Sequence, residues 1–216
     1  PFRPDTRVKK EIETLSVLGY CVDLYCWDKD GTLPQMEVDK LFRIIRVKVL
    51  TKPQQGVKQV LKLFVFYYKL LKSIKENRDK EFKFVYVHDF LLLPMGVYLK
   101  YRYRLRLIYD AHEIYHLMEW EKYNPFIRAL IKSVEKILIT HSDYFIVVNE
   151  IRKQYYSKYI RKNIYIVGNW YDEYHGDKVD LKKKFNLDSG AILFAYFGGL
   201  NRISRQLDYM INSCKE

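Results

Sequence analysis

Apolar and polar positions along this chain alternate between two periods. Short runs rich in Val, Ile, Tyr and Phe are followed by longer stretches whose apolar residues recur every three or four positions. Val8, Ile12, Leu15 and Leu18 keep helical spacing behind Asp5 and Thr6, either of which can cap the first turn, and Gly19 supplies the left-handed stop. Residues 20–27 have strand composition and run into the turn Asp28-Lys29-Asp30-Gly31. The same reading predicts strands at 42–50, 82–88, from Leu107 onward, at 144–149 and at 164–167. Helices are expected at 53–77, 92–101, 125–139 and 150–159. Strands alternating with helices at this spacing predict an α/β fold with a Rossmann-like, doubly wound, mostly parallel sheet. Such a unit normally opens on a strand that lies mid-sheet. This chain enters directly on a helix, so the first strand is expected to be missing.

The helix at 53–77 carries its own signal. Val57, Val60, Leu61, Phe64, Tyr68 and Leu71 share one face, which reads as the core-facing side, and Lys58, Lys62, Lys69 and Lys72 form a neighbouring stripe. The stripe is either a solvated edge or a surface near anionic lipid, where each lysine contributes on the order of 1 kcal/mol.

After Gly168-Asn169-Trp170 the pattern breaks. Residues 1–172 therefore read as one Rossmann-like domain, incomplete at its start. Residues 173–190 read as a linker and short basic entry helix (181–185). Residues 191–216 read as the beginning of a second Rossmann-like domain: a strand at 191–197, then Gly198-Gly199, then a helix from about Ser204.

Composition narrows the class. At 216 residues the chain can bury a sizeable core without staples. Three cysteines, Cys21, Cys26 and Cys214, make no disulfide framework, and a reduced, cytoplasmic setting is the economical expectation. No apolar run reaches the ~18 residues that would span a bilayer. The net charge of +12 admits nucleic acid, anionic lipid or a phosphorylated small molecule as partner. Nucleic acid is the weakest of these, because the aromatics sit at core spacing instead of beside Lys and Arg as stacking platforms.

The stretch from Leu107 to Glu113 is where the chain's chemistry concentrates. Apolar Leu107-Ile108-Tyr109 runs straight into Asp110, His112 and Glu113. A buried parallel strand looks like this where it emerges at its carboxyl end, the edge at which ligands bind in open α/β sheets. A second strand ends similarly, in His88-Asp89, which reads as a structural pair in the same crevice.

Several of these motifs, in this order, resemble the acceptor-side domain of family 4 glycosyltransferases. They are Asp5-x-Arg7-Val8, Gly19-Tyr20-x-Val22, Trp27-Asp28, His88-Asp89, Asp110-Ala111-His112-Glu113, the run from Ser142 to Glu150, and Ile166-Val167-Gly168-Asn169-Trp170-Tyr171-Asp172. The resemblance covers essentially the whole chain. It implies the GT-B architecture, two Rossmann-like domains across a cleft, of which this chain holds the amino-terminal half and the first turn of the other. It implies metal-independent, retaining transfer of a sugar from a nucleotide-sugar donor to a glycan or lipid-linked acceptor, with no resident cofactor and no metal ligands.

By that resemblance His112 is the catalytic residue at the cleft wall. Glu113 and Arg7 serve the acceptor side, and Arg205, with Gly198, Gly199 and Arg202, serves the donor diphosphate. Gly199 stands where many relatives keep an arginine, and Gln206 replaces a common glycine. The family's paired-glutamate motif would lie beyond residue 216, so these 216 residues alone are expected not to turn over. Two other readings use the same fold: a nucleotide-sugar epimerase, and a noncatalytic module that binds glycan or a membrane surface. A peripheral position on the inner face of a membrane is compatible with the lysine stripe.

Overall fold

Gly19 takes a φ of 84°, a left-handed position open to glycine at no steric cost, and with it ends helix α1 (Thr6–Val17). The Gly19 amide donates to the Ser16 carbonyl and the Tyr20 amide to Leu15, closing the last turn. Within α1, Val8 and Ile12 are buried as the spacing predicts. Leu18 is exposed, because the chain has already left the helix there. The computed structural model describes residues 6–39, 42–51, 57–77, 81–117, 124–170, 176, 179–188, 190–194 and 207–213. Asp5, Arg202, Gln206, Cys214 and the start of the predicted helix at 53 lie outside them.

Strands and helices then alternate: β1 (Val22–Asp28), β2 (Met36–Val38), β3 (Phe42–Lys48), α2 (Val57–Asn77), β4 (Phe84–His88), α3 (Leu93–Tyr103), β5 (Arg106–Ala111), α4 (Pro125–Thr140), β6 (Tyr144–Val147), α5 (Glu150–Ser157), β7 (Ile164–Ile166), α6 (Leu181–Lys184) and α7 (Leu207–Ser213). Short 3-10 turns at Phe90–Leu92 and Tyr115–Leu117 follow β4 and β5. Sheet order is β1-β3-β2 in one group and β4-β5-β6-β7 in the other. Every pairing is parallel except β2 with β3. Among the described residues no strand bridges β1 and β4. The α/β class and the mostly parallel sheet stand as the sequence predicts; β2 was not foreseen. It is three residues long, an edge piece behind Pro34, tied on by an ion pair from Arg46 to Glu37 at 2.8 Å.

Helices cover both sides of the strands. Val47, Phe66, Leu70, Ile74, Met95 and Leu99 form one buried cluster under α2 and α3, with Trp27 stacked on Phe66 at 4.7 Å. Each fully buried aliphatic or aromatic side chain contributes about 1.5–3 kcal/mol. The approach of α3 is close: a Cβ at Gly96 would meet Val87 at 2.5 Å and Leu107 at 2.9 Å. At the other end of the helix Lys100 donates to Asp143 at 2.8 Å, whose second oxygen takes the Leu107 amide at 2.7 Å. This staples the start of β5 to that of β6.

One expectation is reversed. In α2 the core side is Phe66, Leu70 and Ile74, while Val60, Leu61, Phe64 and Tyr68 are exposed and Leu71 is only partly covered. The first half of this helix is apolar around most of its circumference, so spacing alone could not say which stripe faces inward. The side chain of Val57 lies outside the description.

The chain divides into two compact units, one of residues 1–113 and 134–169, the other of residues 114–133 and 170–216. In the second, Asp180 caps α6 by accepting from the Lys182 and Lys183 amides. The predicted strand at 191–197 is not formed at 191–194, where Ile192 and Phe194 are exposed without a ladder partner among the described residues. Among those residues no helix is long and apolar enough to cross a membrane.

Candidate functional site

Parallel register puts His88, the last residue of β4, beside Asp110 of β5. Side chains two apart on a strand share a face, so His112, just past the end of β5, points to the same side as Asp110. Tyr109, one residue before Asp110, faces the opposite layer, where its hydroxyl meets Glu135. Thus two strand ends converge two imidazoles and one carboxylate at the carboxyl edge of the sheet. Helix α1 closes over them from its own side.

Asp110 is fully buried. Arg7 of α1 donates through one nitrogen to both its oxygens, at 2.5 and 2.6 Å, and through another to Glu11 at 3.1 Å. The Tyr86 hydroxyl reaches Asp110 at 3.4 Å. His88 Nδ1 lies 3.1 Å from His112 Nε2, and His112 Nε2 lies 3.4 Å from Asp110 Oδ2. The outer nitrogen of His88 is 3.6 Å from Glu11. Both of these ring nitrogens also face Asp110 Oδ2, and the tautomers decide which of them donates.

These neighbours set the protonation states. Burial works to raise the Asp110 pKa, yet hydrogen bonds from His112 and His88 and the Arg7 charge hold it well below the usual carboxylate range. Burial works to lower that of His112, but the Asp110 hydrogen bond and the charges of Asp110 and Asp89 raise it above the ordinary histidine value. Glu11 is raised chiefly by burial, against the attraction of His88. Asp89 is also raised, again chiefly by burial, with His112 the strongest opposing charge.

Asp89 has an unusual backbone. Its φ of 67° with ψ of 156° belongs to a region that is essentially glycine's alone. It precedes a 3-10 turn, but its side chain makes no capping hydrogen bond.

The ring nitrogens and Asp110 Oδ2 could hold a metal ion. Their separations of 3.1, 3.4 and 3.7 Å approach the ~3.3 Å edge of a tetrahedral zinc site with ligands at about 2.0–2.1 Å. Both Asp110 oxygens, however, already accept from Arg7, a fixed cation next to where the ion's charge would fall. The set reads more economically as an ion pair that orients two histidines.

Of the residues singled out in the sequence, Arg7 and His112 meet through Asp110. Arg7 is buried and engaged in that pair. Glu113 points elsewhere: it accepts from Arg152 of α5 at 2.6 Å, next to the helix start that Asn149 caps. Gly198, Gly199, Arg202 and Arg205 lie outside the described residues. His88, read as structural, touches His112 directly. Glu11 went unnoticed, although its position four residues after Arg7 on one helix was a usable signal. Tyr86 carried none, because its contact depends on strand register.

The sequence profile of Glycosyltransferase Family 4 matches residues 6–174. No curated protein sequence matches the chain. Among solved structures, the sucrose-phosphate synthase of Thermosynechococcus elongatus is similar at 16% identity with a TM-score of 0.66. That match covers 86% of this chain and 47% of the synthase. A second structure of that synthase matches at 16% identity and a TM-score of 0.56, covering 76% of this chain and 85% of that one. The chain thus spans about half the length of the first of these.

Proposed function

Since the chain belongs to Glycosyltransferase Family 4, we propose that it forms the acceptor-side part of a retaining, metal-independent hexosyltransferase. The donor is a nucleotide sugar and the acceptor a glycan or lipid-linked saccharide, as in polysaccharide biosynthesis, with the enzyme working in the cytoplasm or against the inner face of a membrane. The observation that carries this reading is His112, half-buried at the carboxyl end of β5 and locked by Asp110 and His88. An imidazole so held has one ring nitrogen spoken for and the other available to a sugar hydroxyl. Arg7 supports the metal-independent reading, because it gives the buried carboxylate its counter-charge without an ion.

Each residue then has a task. His112 orients the hydroxyls of the reacting sugars through hydrogen bonds that strengthen as positive charge develops at the anomeric carbon. Asp110 fixes the ring's orientation. His88 decides which ring nitrogen of His112 carries the proton. Donor diphosphate would be held by Arg205 and Arg202 with the Gly198-Gly199 turn, completed by the remainder of the second domain. The divisions 1–172, 173–190 and 191–216 are retained as that enzyme's domain plan. Charge on the departing diphosphate is a task for cations and helix amino termini.

The test is release of nucleoside diphosphate by the complete enzyme carrying this segment. His112→Asn should lower kcat about 10²–10⁴-fold with little change in Tm. Full activity in that variant, or acceptor-independent conversion of the nucleotide sugar to an epimer, would overturn the reading.

A further inference from the structure

The outward face of α2 is unexplained by the fold or by the site. Leu61, Phe64 and Tyr68 are 62%, 62% and 72% exposed, and Val60 and Val65 lie beside them. A helix apolar on its outer as well as its inner side is ordinarily covered by something, and contiguous exposed apolar patches of this kind mark interaction sites. Phe64 packs edge-on against Tyr67, whose hydroxyl bonds the Leu91 carbonyl. Leu91, itself partly exposed, belongs to the turn directly after His88-Asp89. The patch therefore reaches the sheet edge that carries the histidines.

Charge selects the occupant. Along α2 the sequence holds Lys58, Lys62, Lys69, Lys72 and Lys75 against one acid, Glu76, which sits by Lys72 at 3.7 Å. Lys69 reaches back to the Lys48 carbonyl at 3.1 Å, which places its ammonium at the rim. An apolar patch with a phenolic ring, bordered by lysines, matches an interface whose interior is hydrocarbon and whose edge is anionic. A second copy docked through the same face would bring these lysines against their own kind.

We propose that this face of α2, with Leu61, Phe64 and Tyr68 inserted and Lys62, Lys69 and Lys72 at the rim, seats the protein on an anionic phospholipid surface. This deepens the sugar-transfer reading, on which it rests for its purpose: a lipid-linked acceptor would lie in the same surface that seats the protein.

Vesicle co-sedimentation of the chain tests it directly, with phosphatidylglycerol-containing and purely phosphatidylcholine vesicles in parallel. Wild type should bind the anionic vesicles and lose most of that binding at high salt. Phe64→Ser with Tyr68→Ser should weaken binding about tenfold or more, and so should Lys69→Glu with Lys72→Glu. The lysine pair is exposed, so it serves as the variant least able to disturb folding, and near-UV circular dichroism checks both. Variants that bind like wild type, or equal binding to zwitterionic vesicles, overturn the proposal. So does a dimer in sedimentation velocity that Phe64→Ser dissolves. No activity is needed for these readings: transfer to a soluble acceptor with no vesicle binding removes the surface alone, whereas vesicle binding without transfer leaves it standing.

Discussion

Two acids lie buried around β5, on opposite sides, and the chain treats them differently. Asp110 faces α1 at the strand's open end, where Arg7 neutralises it and His88 and His112 crowd its second oxygen. Glu135 of α4 faces the interior, accepting hydroxyls from Tyr156 at 2.8 Å and Tyr109 at 3.5 Å, with Tyr109 stacked on Phe145. Burial, followed by the Glu135 charge, pushes the pKa of both phenols upward, so they remain donors at any ordinary pH. The first acid is a charged anchor for groups that look outward. The second ties helices α4 and α5 to the sheet. The difference shows why burial of a charge does not by itself mark a site; what marks one is a titrating neighbour with access to the edge.

The comparison breaks most visibly at Arg7. Arg7→Met leaves Asp110 buried without its guanidinium partner, and should cost about 3–5 kcal/mol in denaturant unfolding. A second change, Asp110→Leu, should recover much of that loss. Tyr156→Phe removes one of the hydroxyls on Glu135 and should cost about 1–3 kcal/mol, with no effect on the environment of His112 seen by NMR. A loss at Tyr156 that matched Arg7 would erase the distinction.

Asp89→Gly should act in the other direction. It relieves a backbone conformation costly to any side chain, and Tm should rise by roughly 2–4 °C, about 1 kcal/mol. A fall in Tm would show that the carboxylate stabilises the fold more than its backbone strains it.

The mildest test is a titration. A group with a raised pKa, like His112, contributes stability at pH below the ordinary histidine value and loses it as pH climbs through the raised one. Asp110, with a depressed pKa, contributes above the ordinary carboxylate range and loses it as pH falls through its own value. The cluster is therefore worth most between the two. Asp110→Asn should move the His112 NMR midpoint downward, and an unchanged midpoint would assign its shift to some other charge.

Much of this was legible in the sequence, for reasons that differ by region. The apolar run Leu107-Ile108-Tyr109 ending in Asp110, His112 and Glu113 marked the carboxyl end of a buried parallel strand, and the Gly19 stop and the Asn149–Glu150 boundary were plain in residue type. Register was not legible: nothing in the chain says that His88 is level with Asp110, so its contact with His112 emerges only in three dimensions. The turn of α2 was misread because two of its stripes are apolar and hydrophobicity cannot rank them. Edge strand β2 was missed because three residues carry no period.

Gly96 matters here for what it lacks. Its bare backbone sits against Val87 and Leu107, the neighbours in sequence of His88 and Ile108 on two adjoining strands. A single added methyl would act as a wedge between helix and sheet, and any relief by displacing β4 relative to β5 would stretch the gap between the paired imidazoles. Spacing at the reactive edge is thus gauged from the back of the sheet, by an atom that is not there.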